Sequence, residues 1–142
     1  MDGMKRIAAA GLGIGVALTA SAVVASAAQA QTLAQPYTPE QICGSGFQVI
    51  ESQPLGKAGE ARVYFLNNGP TNCVVTLKQG AYVGNSVKIS ARLQIVGGST
   101  QTDGPAAFKY YAGPLKADPQ GGCMVYGGTY GSYSYTSPST CG

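Results

Sequence analysis

The sequence predicts an all-β fold, a small antiparallel sandwich or barrel of six or seven short strands stapled by two disulfides. Three observations lead there. Apolar residues in the ordered part recur with a period of two rather than 3.6, and 21 glycines and 8 prolines would punctuate any long helix. In addition, all four cysteines lie beyond an N-terminal segment built like an export signal.

That segment, residues 1–30, opens with the positive pair Lys5 and Arg6 and continues without a charge from Ile7 to Gln29 in a run rich in Ala, Val, Leu and Gly. Small residues at Ala25 and Ala27, and again at Ala28 and Ala30, give two overlapping Ala-x-Ala sites, so cleavage is expected after Ala27 or Ala30. A retained membrane anchor is the competing reading. The Ala and Gly content makes a poor anchor, so no membrane attachment is expected once the signal is removed. Removing residues 1–30 leaves 112 of the 142 residues, the length of one domain. The protein is expected outside the cytoplasm, free or held on the cell surface.

Residues 31–40 contain Pro36 and Pro39 and little to bury, and predict an extended lead-in to a single β domain over 41–142. A helical turn is expected near Thr38 to Ile42, with Thr38 as its cap and Pro39 at its first position. Strands are predicted over Gly46–Glu51, Ala61–Leu66, Cys73–Lys78, Ser86–Val96, Ala106–Ala112 and Cys123–Tyr126, with a weaker one at Tyr133–Thr136. The clearest is Ser86–Val96. There Val87, Ile89, Ala91, Leu93 and Ile95 face one way and Ser86, Lys88, Ser90, Arg92 and Gln94 the other. Asn67, Asn68, Gly69 and Pro70 tolerate turn geometry and predict a hairpin between the second and third strands. Gly97–Pro105 and Gly113–Gly122 are loops by composition.

Cys43, Cys73, Cys123 and Cys141 form an even set in a short exported chain, which predicts two structural disulfides. No Cys-x-x-Cys pair occurs, which counts against a zinc site or a redox-active dithiol. Four cysteines allow three pairings and the spacing does not choose among them; Cys43 with Cys73 and Cys123 with Cys141 is the expected one.

Composition restricts function more than it assigns it. The chain contains no histidine, which removes the commonest general base and metal ligand. Loss of Asp2, Lys5 and Arg6 with the signal takes the formal charge from +3 to +2, too little for a nucleic-acid footprint. The five remaining carboxylates, Glu40, Glu51, Glu60, Asp103 and Asp118, show no spacing that pairs them across a cleft. No Ser-x-x-Lys or Gly-x-Ser-x-Gly pattern is present. No enzymatic activity, cofactor or metal is expected.

The conspicuous residue is tyrosine. Tyr126, Tyr130, Tyr133 and Tyr135 crowd a Gly- and Ser-rich stretch and are the candidate binding residues, since tyrosine offers a flat apolar face and a hydroxyl suited to sugars or proteins. The plainer reading is that the rings supplement a thin core. It is preferred because Tyr133 and Tyr135 share one strand face and need only cover the sheet. Tyr110 and Tyr111 should point to opposite faces of their strand.

Taken together, Tyr37-Thr38-Pro39 with Cys43-Gly44, Phe47 to Ile50, Asn72-Cys73-Val74-Val75, Tyr110-Tyr111-Ala112-Gly113-Pro114, Gly122-Cys123 and Cys141-Gly142 give the chain a family likeness. It resembles the spore-associated protein A family of secreted actinobacterial proteins, from Tyr37 to Gly142. One departure is Tyr126 ahead of Gly127-Gly128, where the resemblance implies tryptophan. The resemblance implies a small exported protein found with spores or aerial cell surfaces, with no catalytic site to transfer. The leading expectation is therefore a secreted, non-enzymatic protein of the spore or cell envelope, whose partner is a cell-wall or spore-surface polymer or a protein. Two alternatives stand beside it. One is a carbohydrate or cell-wall binding module stacking ligand on Tyr126, Tyr130 and Tyr133. The other is a protease inhibitor presenting Gly97–Pro105 as a rigid loop.

Overall fold

The computed structural model describes residues 35–141, so the expected signal and its cleavage points lie outside the described residues. Among these, one short helix α1 (Pro39–Cys43) is followed by nine strands. The strands are β1 (Gln48–Leu55), β2 (Ala61–Asn67), β3 (Asn72–Lys78), β4 (Ile89–Ile95), β5 (Thr100–Ala106), β6 (Tyr111–Ala117), β7 (Cys123–Tyr130), β8 (Tyr133–Thr136) and β9 (Thr140–Cys141), with a 3-10 turn at Gly80–Tyr82. They form two antiparallel sheets, one ordered β1-β2-β3-β6 and the other β5-β4-β7-β8, with β9 also pairing to β7. The fold is an all-β sandwich.

Local chemistry accounts for the elements that sequence predicted. Thr38 Oγ1 accepts from the Gln41 backbone N–H at 3.1 Å while the Gln41 side-chain oxygen accepts from the Thr38 N–H at 3.0 Å. This reciprocal cap fixes the start of α1, with Pro39 in its first turn. The β2–β3 hairpin closes through Asn67 Oδ1, which accepts from Gly69 N–H at 2.8 Å, and Asn68 Oδ1, which accepts from Thr71 N–H at 3.0 Å. Gly69 sits at φ 114°, a conformation that side chains with a Cβ avoid. On β4 the alternation holds, with Ile89, Ala91 and Leu93 in the core. Ser90, on the opposite face, is also buried, and its hydroxyl shares a 2.7 Å hydrogen bond with that of Thr129 on β7.

The main core lies between the sheets and joins Val63, Phe65 and Val74 of one to Ile89, Leu93 and Tyr126 of the other. A smaller core covers the outer face of the first sheet, where Phe47 and Cys43 close over Leu66, Cys73, Val75 and Leu77. Strand β3 is thus buried along its entire length, its alternate residues feeding different cores. The disulfides are Cys43–Cys73, which ties α1 to β3, and Cys123–Cys141, which ties register partners on β7 and β9.

Three predictions from composition need correction. Gly97–Pro105 is not a loop, because Thr100–Ala106 forms β5 and only the tight turn before it remains. The predicted strand Ala106–Ala112 is displaced: it starts at Tyr111 and runs on to Ala117, through what composition assigned to loop. The strand count rises to nine among the described residues, β5 and the two-residue β9 being the additions. The cause is common to the first two. Pro105 and Pro114, each preceded by glycine, lie in β5 and β6, which are edge strands with only one hydrogen-bonded neighbour. A proline's missing N–H is tolerated there and not in a central strand. The lead-in also has more to do than its composition suggests. Gln35 Nε2 donates to the Lys78 and Tyr110 carbonyl oxygens, both at 2.9 Å, and so pins the chain beside β3 and β6.

The sheets approach closely where Gly128 of β7 faces Thr76 of β3. A Cβ added at Gly128 would lie 2.5 Å from Thr76 Oγ1 and 2.8 Å from the Ser90 carbonyl oxygen. Thr76 Oγ1 is itself buried without a hydrogen-bond partner. Opposite outcomes are expected at this one contact. Gly128→Ala should lower unfolding stability by about 2 kcal/mol or more through overpacking. Thr76→Val should raise it by about 1 kcal/mol by removing an unsatisfied hydroxyl. Urea denaturation of both variants checks the pair of signs.

Candidate functional site

The four candidate tyrosines do not form one exposed platform. Tyr126 and Tyr130 lie four residues apart on β7 and face the core, where they are 1% and 6% exposed. Tyr135 pairs with Gly128 and packs partly buried against the same core. Tyr133, opposite Tyr130 at the end of the hairpin, is the one that reaches solvent, at 46% exposure. Stacking of a ligand on Tyr126 or Tyr130 is therefore blocked, and the plainer sequence reading describes these two rings.

Tyr126 does structural work across the sandwich. Its ring stacks on Phe65 of the opposing sheet at a centroid distance of 4.6 Å and an interplanar angle of 8°. Its hydroxyl donates to Glu51 Oε1 on β1 at 2.7 Å. Burial, and then the adjacent Glu51 carboxylate, hold the phenol well above the ordinary tyrosine range, so it stays a neutral donor. Tyr130 accepts a 2.7 Å hydrogen bond from Asn85 Nδ2, and Asn85 in turn accepts, through its backbone oxygen, from Lys78 Nζ at 2.6 Å. Lys78 has no solvent exposure, and this desolvation lowers its pKa from the usual 10.5.

Among the described residues, the carboxylates other than Glu40 are likewise committed to local structure. Glu60 Oε1 accepts from Ala58 N–H and Asp118 Oδ1 from Gln120 N–H, both at 2.8 Å. Asp103 Oδ2 on β5 accepts from the Gly113 N–H on β6, also at 2.8 Å, linking the two sheets along one side of the sandwich. Among the described residues no group of three or more His, Cys, Asp or Glu is placed to hold a metal ion.

A concavity lies at the end of the sandwich where the β2–β3 hairpin meets the β6–β7 connection and β9. It is an open groove of about 480 Å³, lined by Ile50, Phe65, Asn67, Pro70, Asn72, Asp118, Pro119 and Thr140. The two amides are already engaged. Asn67 Nδ2 donates to Asn72 Oδ1 at 2.7 Å, and Asn72 Nδ2 lies 2.8 Å from Met124 Sδ. What the groove presents is an apolar strip from Ile50, which is 56% exposed, beside the Asp118 carboxylate and the Thr140 hydroxyl. Sequence reasoning missed it, since its residues come from segments far apart in the chain.

Comparison with known proteins places this scaffold. The chain is 32% identical over 123 residues to spore-associated protein A of Streptomyces coelicolor, covering 84% of this chain and 77% of that protein. The chain belongs to the spore-associated protein A family. No family model matches it, and no solved structure does. In this member of the family, Tyr126 occupies the position before Gly127-Gly128, and its ring is a core element rather than a contact surface.

Two tests separate structural from surface groups. Tyr126→Phe removes the donor to Glu51 and is expected to lower stability by about 1–2 kcal/mol, whereas Tyr133→Ala should stay within about 0.5 kcal/mol of the parent. Thermal unfolding at neutral pH distinguishes them. For Lys78, the unfolded chain holds a proton that the folded chain binds less readily, in the window between the lowered folded pKa and 10.5. Lys78 therefore contributes stability that rises with pH across that window. Lys78→Met should abolish this contribution and raise the melting temperature most at neutral pH. An unchanged pH profile in the variant would refute the assignment.

Proposed function

We propose that this protein is an exported, non-enzymatic component of the spore or cell envelope, held there by contact rather than by a membrane anchor. The observation that carries the reading is the relationship, over most of the chain, to a protein named for its association with spores. The chemistry of the chain supports it. A disulfide-stapled domain suits an oxidising exterior, and four of the five carboxylates hold backbone or ring groups in place rather than converging on a cleft.

The attachment surface in this reading is the open groove beside Ile50 and Asp118. An open surface that mixes apolar and polar lining fits a repetitive envelope surface, where many weak contacts add, better than one tightly held small molecule. A cell-wall glycan is a second reading, favoured by the same groove. The protease-inhibitor alternative is not carried forward, because its candidate loop is largely strand β5.

Fractionation of the producing cells and spores tests the proposal. A bound pool that sediments with the envelope and falls in an Ile50→Asp, Asp118→Ala double variant is expected. Protein found wholly as free material in the culture fluid would contradict it. Co-sedimentation with purified peptidoglycan, chitin and cellulose then separates a glycan from a protein partner.

A further inference from the structure

Three tyrosines outside the candidate set form a cluster apart from the proposed attachment groove, one of them, Tyr111, packing against the smaller core. Tyr37, on the extended segment ahead of α1, sets its ring edge-on to Tyr110 at 5.6 Å and 73° and to Tyr111 at 5.3 Å and 76°. Tyr37 is 41% exposed; Tyr110, just before β6, and Tyr111, its first residue, are half-buried. Gln35, two residues earlier, hydrogen-bonds the Tyr110 carbonyl oxygen and holds the segment in register beside these rings. The remaining contact between tyrosine rings, Tyr126 with Tyr135 at 5.8 Å, is closed to an outside reagent because Tyr126 is 1% exposed and its phenol is committed to Glu51.

We propose that Tyr37, with Tyr110 or Tyr111, is a site of oxidative tyrosine coupling that fixes the N-terminal segment covalently to β6. The co-reactants are hydrogen peroxide and a haem peroxidase of the extracellular space. The enzyme removes one electron and one proton from each of two phenols, giving two phenoxyl radicals whose spin is shared with the ring carbons ortho to oxygen. Two such carbons join in a carbon–carbon bond, and each ring then moves its ortho hydrogen to oxygen to restore the phenol. The protein loses two hydrogen atoms in all, and one peroxide takes them up to become two waters. Proximity gives the reaction its direction: a radical on Tyr37 meets Tyr110 and Tyr111 before any ring of another molecule. Tyr37 lies outside both sheets and is the most exposed of the three, so its ring has the most room to turn from edge-on to edge-to-edge. The product would be a link that thiol reagents do not open, in addition to the one made by Cys43 and Cys73.

The inference is independent of envelope attachment and is tested on the purified, signal-free protein at low concentration, treated with a haem peroxidase and hydrogen peroxide. The expected product is a monomer lighter by two hydrogen atoms, with dityrosine fluorescence, whose digest joins the Tyr37 peptide to the Tyr110-Tyr111 peptide. Tyr37→Phe should lose nearly all of the monomer's fluorescence, while a Tyr82→Phe, Tyr133→Phe double variant, which removes two exposed rings outside the cluster, should keep it. Coupling that maps elsewhere, a product found only in oligomers, no coupled product, or full yield from Tyr37→Phe would each overturn the proposal.

Discussion

The structure depends on the two-sided burial of β3. A strand in a two-sheet sandwich ordinarily buries one face and wets the other, yet all seven residues of Asn72–Lys78 are buried. The inner face is covered by the opposing sheet. The outer face would place Cys73, Val75 and Leu77 in water were it not for α1 and Phe47 folded over them. A five-residue helix has no independent stability, even with a complete capping box. The Cys43–Cys73 bond supplies what helix propensity cannot, by holding the lid on the strand and removing loop entropy from the unfolded chain. In a domain this small, a second core under a stapled lid is a substantial part of the total apolar burial.

A second constraint acts at the rims. The sheets have β1, β6, β5 and β8 at their edges, and the first three carry Pro54, Pro114 and Pro105. Proline offers no N–H to an incoming strand, and the remaining edge strands, β8 and β9, are only four and two residues long. Along one side the sheets are also tied together, by Asp103 accepting from the Gly113 N–H and by Gln101 donating to the Lys116 carbonyl oxygen at 2.9 Å. Edges arranged this way resist pairing with other chains.

Much of this was legible in the chain, and the exceptions have physical causes. The β4 alternation, the Thr38-Pro39 start and the Asn-Asn-Gly-Pro turn express short-range rules, and each appears in the structure; the two disulfides follow from the even cysteine count, while their pairing had no local signal. Strand β5 and the second half of β6 were hidden because Gly-Pro pairs mark loops by composition, whereas an edge strand accommodates them. The tyrosines were ambiguous for a different reason. Tyr126 and Tyr130 share the face of Met124, a core residue, so alternation along β7 already pointed them inward, but the Gly- and Ser-rich surroundings suggested an exposed segment. Neither the groove nor the Tyr37 cluster has a local signal, since both bring together residues distant in the chain.

Hydrogen exchange tests the dependence on β3 most directly. The amides of Asn72–Lys78 should be among the slowest to exchange in the oxidised protein. They should lose most of that protection in a Cys43→Ser, Cys73→Ser variant that keeps the Cys123–Cys141 bond, while β7 amides lose less. Unchanged protection of β3 in that variant would contradict the account, because the lid would then be an ornament on a strand that the two sheets alone hold in place.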